Sequence, residues 1–206
     1  MAVLNRAYSG ETGGVSTPFE FQLAGINRVR RPEWAKIAPA SELEVDMKME
    51  LHQGGADTLN IYLTAIDGGE LGEVLGVATL PVFYPVVPFY DGVTINFRTL
   101  PAGPLEFFNV GHVLVHEVGH WLGLLHTFQG QCDGIVDDLV EDTPREQIPG
   151  SGDFCPVGRD SCPDRPGIDP INNHMTYTED TCRFEFTAEQ VQFMRFNATV
   201  FRGLAG

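Results

Sequence analysis

The sequence predicts an α+β protein, and three observations carry that class. Between residues 19 and 98, stretches with the alternating or continuous apolar pattern of strands are interleaved with one at helical spacing. From Gly130 to Arg183 the composition shifts to Gly, Pro, Asp and Cys without periodicity, which marks irregular structure. Helical spacing then resumes over residues 186–196. At 206 residues, with 43% hydrophobic side chains, the chain is long and apolar enough for a single domain with a substantial core.

In chain order, residues 1–18 begin with a short apolar piece and pass into the flexible loop G-E-T-G-G-V-S-T-P. From Phe19, F-E-F-Q-L-A-G-I-N-R-V alternates as a half-buried strand does. Ser41 is placed to cap a helix running to about Leu51, with Leu43, Met47 and Leu51 on one face and Gly54 and Gly55 as the stop. Residues 59–66 read as a buried strand and 75–81 as another, ended by Pro81. The aromatic, proline-punctuated segment 82–90 reads as a loop packed on apolar neighbours, and 92–98 as a further strand. L-P-A-G-P then breaks the chain before a helix over about 105–122. The last helix opens with Thr187 and, three residues on, Gln190, which form a capping box. Asn197-Ala198-Thr199 has the form of a glycosylation sequon, read here as incidental.

The chemistry concentrates in H-E-V-G-H-W-L-G-L-L-H, from His116 to His126. On a helix His116 and His120 lie about 40° apart and roughly 6 Å along the axis, so both imidazoles can reach one ion. Three protein ligands and one open position describe a catalytic zinc site, and neutral imidazole suits zinc. His126 would fall on the wrong face of a continuing helix. Gly123 lies between, and glycine accepts the left-handed backbone that ends helices, so the chain can turn back and offer His126 to the same ion. Glu117, one step round the helix, is placed to act as general base at the open position. His112, one turn before His116, reads as a packed or hydrogen-bonding neighbour.

A net charge of −15 excludes a nucleic-acid partner, because no basic patch could offset phosphate repulsion. No stretch is long enough to span a membrane, and the first residues lack the apolar run of a signal peptide. Cys132, Cys155, Cys162 and Cys182 match no zinc-finger spacing and all lie in the loop-rich stretch. Two disulfides in an exported, extracellular protein account for them, with three connectivities open.

His116 to His126 resembles the extended motif H-E-x-x-H-x-x-G-x-x-H of the metzincin metallopeptidases, and N-N-H-M-T-Y places Met175 and Tyr177 suitably downstream. The finer resemblance is to the pappalysin family, in its small secreted microbial and fungal members. It rests on H-T-F after the last histidine, E-D-T-P (141–144), S-C-P (161–163), G-I-D-P-I-N-N (167–173) and C-x-x-x-F-T from Cys182, and it covers about residues 92–195 strongly. The resemblance implies a metzincin-like zincin fold in two lobes. Residues 1–126 would form an upper lobe with a twisted, mostly parallel sheet and the zinc helix. Residues 127–206 would form an irregular, disulfide-stapled lower lobe ending in a helix. It implies the pairings Cys132–Cys162 and Cys155–Cys182, and Met175 in a tight turn beneath the metal. It also implies that Tyr177 donates to the oxyanion of the reaction or binds the metal at rest. L-G-V-A-T-L-P corresponds to the family's edge strand, to which an extended peptide could add.

Calcium is the family's other metal. The run Asp133, Asp137, Asp138, Glu141 and Asp142 supplies the hard oxygens it prefers, and Asp138 and Thr143 fall where the family places calcium contacts, with Asp142 beside them. Two departures stand out. By this comparison the chain lacks the first strand and the start of the first helix, with the prosegment expected upstream in a longer precursor. Relatives that cut before arginine carry an acid where this chain has Thr181, so that preference is in doubt. The expectation is therefore a secreted, monomeric zinc endopeptidase acting on protein or peptide. The alternatives are a zinc- and calcium-stabilised binding or adhesion module without turnover, and a zinc amidase acting on a non-peptide substrate.

Overall fold

The computed structural model describes residues 1–69, 73–150 and 154–204. Its regular elements are α1 (Ala2–Tyr8), β1 (Lys36–Ile37), α2 (Glu42–Leu51), β2 (Ile61–Ile66), β3 (Gly76–Ala78), β4 (Val93–Asn96), α3 (His112–Trp121) and α4 (Ala188–Arg202). The strands form one mixed sheet in the order β1-β2-β4-β3. β1 and β4 both run parallel to β2, whereas β3 is an antiparallel edge strand on β4. All four residues of β4 are buried, as a central strand covered on both faces requires.

The main core lies between this sheet and the helices: Leu4 and Tyr8 of α1, Val93 and Ile95 of β4, Val113, Val115, Val118 and Trp121 of α3, and Val191 and Met194 of α4. A buried ionic knot fastens α4 to the rest. The Arg202 guanidinium lies 3.4 Å from the centre of the Trp121 ring and pairs with Asp91, which also accepts from the Trp121 indole. Charges this deep persist only when each has partners, and here each does.

Three expectations need correction. The alternating segment from Phe19 forms no strand. Phe19 and Phe21 pack on Tyr8, and the Asn5 side chain bonds both backbone groups of Phe21, but Leu23 and Ile26 are exposed. Alternation favours an extended chain, yet a strand also needs a neighbouring edge to bond. The metal-site helix begins at His112 rather than near 105, because Phe107 and Gly111 take left-handed backbone that no helix continues through. On α2, which Ser41 caps as expected, Leu43 is exposed and the buried face instead carries Glu44, Met47 and Lys48. The Glu44–Lys48 pair is covered by Tyr90 and Thr94, which donate to Glu44, and by the Tyr62 and Tyr90 rings near the ammonium.

Past residue 126 the described chain is irregular up to α4, stapled by Cys132–Cys162 and Cys155–Cys182. Thr187 and Gln190 form the capping box of α4. Asn197 lies inside that helix, buried against Gly123 and bonded to the Phe193 carbonyl, so the sequon is not presented to solvent.

Candidate metal centre

The site begins with how α3 starts. Gly111 precedes the helix in left-handed conformation and no side chain of the helix itself caps it. Asp180, sixty-eight residues on, takes that role: one carboxylate oxygen accepts from the amides of Val110 and His112, and the other from Arg183. A negative charge there also meets the positive end of the helix dipole.

The helix ends as abruptly. Gly123, at φ +103, turns the chain back, and the Gly123 and Leu124 amides bond to the carbonyls of His120 and Gly119. The return brings His126 beside the two helical histidines. The three Nε2 atoms lie 3.0, 3.1 and 3.2 Å from one another.

Their tautomers follow from their partners. Nδ1 of His116 meets the His174 carbonyl at 2.7 Å and Nδ1 of His120 meets the Leu124 carbonyl at 2.6 Å. A carbonyl can only accept, so both Nδ1 atoms carry hydrogen and both Nε2 atoms present lone pairs. Burial pushes His126 down to about 2 and His120 to about 4, and lowers His116 well below its ordinary value, so all three rings are neutral. Lone pairs converging at 3.0–3.2 Å repel unless a cation lies among them. That separation is close to the ~3.3 Å expected for nitrogens about 2.0–2.1 Å from one tetrahedral zinc ion. The residues present fit zinc. Among the described residues, this is the only group of three or more His, Cys, Asp or Glu side chains with converging ligand atoms.

Glu117 is buried next to His116, and burial pushes its carboxyl up to about 8, opposed by the charge of Arg183. Tyr177 stands beside the trio, its ring 4.7 Å from that of His126 and 5.6 Å from that of His116. It is half-exposed, and its phenol is pushed up to about 12, chiefly by burial and further by Glu117, so it carries its proton and can donate. Met175 is fully buried with its sulfur against Gly119, where a Cβ would sit 2.5 Å from it. His112 stays outside the trio, with Nδ1 on the Asp180 carbonyl and its ring against His174.

The acidic residues are differently employed. Asp138 is buried and accepts from the Thr143 hydroxyl. Asp142 turns both oxygens to the start of α4, accepting from the Thr187 hydroxyl and the Glu189 amide. Asp137 pairs with Arg145. Thr181 is exposed and donates to Glu179.

Two residues that sequence reasoning passed over hold the centre in place. One is Asp180, described above. The other is Glu146, fully buried: one oxygen accepts from both Thr127 and Thr176 at 2.6 Å, the other from Arg159. Thr127 follows His126, and Thr176 sits between Met175 and Tyr177, so Glu146 ties the third imidazole to the tyrosine's turn. Glu146 ends E-D-T-P-R-E, and nothing in that run distinguishes it from a solvated acid.

A helix presenting two imidazoles, a glycine turn returning a third, and a methionine packed against that helix at Gly119, all next to a mixed sheet, give the arrangement of the metzincin class. The chain belongs to the peptidase M43 family, described as pregnancy-associated plasma protein-A, whose model matches residues 57–199. It is 42% identical over 193 residues to an extracellular metalloprotease of Neurospora crassa, covering 92% of this chain and 62% of the relative. With an extracellular metalloprotease of Pyricularia oryzae the identity is 45% over 172 residues, covering 83% and 57%. The chain thus spans about six-tenths of the length of these curated relatives. Among solved structures, mature mirolysin of Tannerella forsythia in complex with a cleaved peptide matches with a TM-score of 0.64 at 28% identity, over 78% of this chain and 62% of that one. A promirolysin mutant from the same organism matches with a TM-score of 0.60, over 76% and 54%.

Proposed function

We propose that this chain is the catalytic part of a secreted zinc endopeptidase. The single observation that carries the reading is the convergence of three neutral imidazoles beside a buried glutamate. A zinc ion held by His116, His120 and His126 would supply Lewis acidity, polarising a peptide carbonyl and making water a better acid.

The chain's own residues do the rest. Glu117, in its ionised form and made more basic by burial, takes the proton of the attacking water and passes it to the leaving amine. Tyr177 donates a hydrogen bond to the carbonyl oxygen as charge builds on it. β3 is an edge strand of the sheet among the described residues, so an extended peptide can lie along it as a further strand. That relatives are extracellular metalloproteases, and that a structural neighbour holds a cleaved peptide, supports both the reaction and an extracellular location. The promirolysin likeness supports a prosegment in the precursor. Asp180 is committed to α3 and Arg183, and Thr181, where arginine-cutting relatives carry an acid, is uncharged, so an arginine after the scissile bond would have only the nearby Glu179 to meet it. Calcium belongs to the proposal through Asp138, a buried carboxyl pushed up to about 6 by burial, which an added cation would suit.

A binding module without turnover has no use for a buried carboxyl at Glu117. Glu117→Gln keeps the shape and removes the base. Zinc content should stay unchanged while cleavage of a denatured protein falls by about 10²–10⁴-fold. Undiminished cleavage by that variant refutes the role given to Glu117.

A further inference from the structure

β3 lies against α3, and its first residue is a glycine that the backbone does not call for. Gly76 pairs with Ile95 in ordinary antiparallel register, and it is not among the glycines at positive φ. Gly111 and Gly123, by contrast, sit at φ +94 and +103, where any side chain is strained. Glycine inside a strand weakens it, and its presence there marks a close approach by something else. Here the approaching group is identifiable. A Cβ on Gly76 would lie 2.6 Å from Cγ, 2.7 Å from Oε1 and 2.9 Å from Cδ of Glu117, and these are its three nearest atoms.

We propose that Gly76 is a positioning residue for Glu117: the space left by its missing side chain is where the glutamate carboxyl rests. The strand that offers its edge to substrate thereby also sets where the base stands. A methyl group at 76 forces the carboxyl to move, because distances under 3.0 Å are not tolerated, and the glutamate is the flexible partner. Gly119 makes the matching clearance on another side of α3, for Met175. The helix is thus fitted to its surroundings by two absent side chains, one admitting the base and one the methionine.

The catalytic half of this inference rests on the reading of Glu117 as base; the steric half does not. The test is Gly76→Ala in two backgrounds, native Glu117 and Glu117→Ala, with zinc content, Tm of the zinc-loaded protein and, where Glu117 is present, kcat and KM. With Glu117 in place, zinc should be retained, KM should change little and kcat should fall by about 10²-fold, the effect of an ångström-scale misplacement. Tm should fall by about 2–12 °C, the range for overpacking in a chain of this size. In the Glu117→Ala background that Tm penalty should vanish, since the group it strikes is gone. A native kcat in Gly76→Ala, or a Tm change of equal size in both backgrounds, overturns the proposal. If the unmutated protein cleaves nothing, the proposed function fails while the two-background Tm comparison still decides the fit of Gly76 to Glu117.

Discussion

In residues 116–126 the imidazoles face one another with their lone pairs unspent, whereas in residues 133–143 the carboxylates mostly face partners the protein already provides. The difference lies in what stands behind each group. Backbone carbonyls of Leu124 and His174 fix the tautomers of His120 and His116, so the free nitrogens have nowhere to look but inward. Asp142 caps α4, Asp137 holds Arg145, and the buried Asp138 accepts from the Thr143 hydroxyl and from the backbone at Val140. Ligand type alone does not make a cation site. The orientation imposed by the next layer of hydrogen bonds does.

The largest effect should come from breaking the histidine cluster itself. His120→Ala removes one ligand and the bond to Leu124; bound zinc, measured by atomic absorption, should drop to background and proteolysis should become undetectable. Next in size is the anchor of α3. Asp180→Ala leaves Arg183 buried without its ion-pair partner and the first amides of the helix uncapped, and should cost about 3–5 kcal/mol in denaturant unfolding. Asp180→Asn, which still accepts from those amides, should cost less.

Glu146 tests whether the layer behind the ligands matters at a distance. Glu146→Gln keeps an oxygen for the two threonines but turns an amide toward Arg159, and zinc affinity measured by chelator competition should fall about 10–100-fold. An unchanged affinity would show that Thr127 and Thr176 hold their places without it.

The smallest effect concerns calcium. Burial raises Asp138 from its ordinary 3.8 to about 6, so without a cation the folded protein holds that proton more tightly than the unfolded chain. The stability this lends is fully present below about 3.8 and is lost as pH rises through about 6. A calcium ion needs the ionised form. The gain in Tm on adding calcium should therefore be a few degrees near pH 8, shrink as pH falls through about 6, and disappear in Asp138→Asn. A gain independent of pH would place the ion elsewhere.

How much of this was legible depends on whether the cause was local. The metal trio was readable because helix periodicity and one glycine fix it within eleven residues, and the capping boundaries of α2 and α4 are equally short-ranged. The sequence showed β2, β3 and β4 but not the two-residue β1, and the strand expected from Phe19 did not form, because pairing depends on a neighbour that alternation cannot name. The Glu44–Lys48 pair defeated the apolar face drawn for α2, since its burial depends on Tyr90 and Thr94, more than forty residues away. Asp180, Glu146 and Gly76 act across gaps of 68, 19 and 41 residues or more, with no periodicity to betray them.

The most direct measurement is X-ray absorption at the zinc edge on the purified protein, alongside metal content. One zinc per chain bound by three imidazole nitrogens at about 2.0–2.1 Å, with a light-atom fourth ligand, is the expected result. Zinc held through sulfur or carboxylates alone, or a protein that binds none when zinc is supplied, would contradict the account at its root.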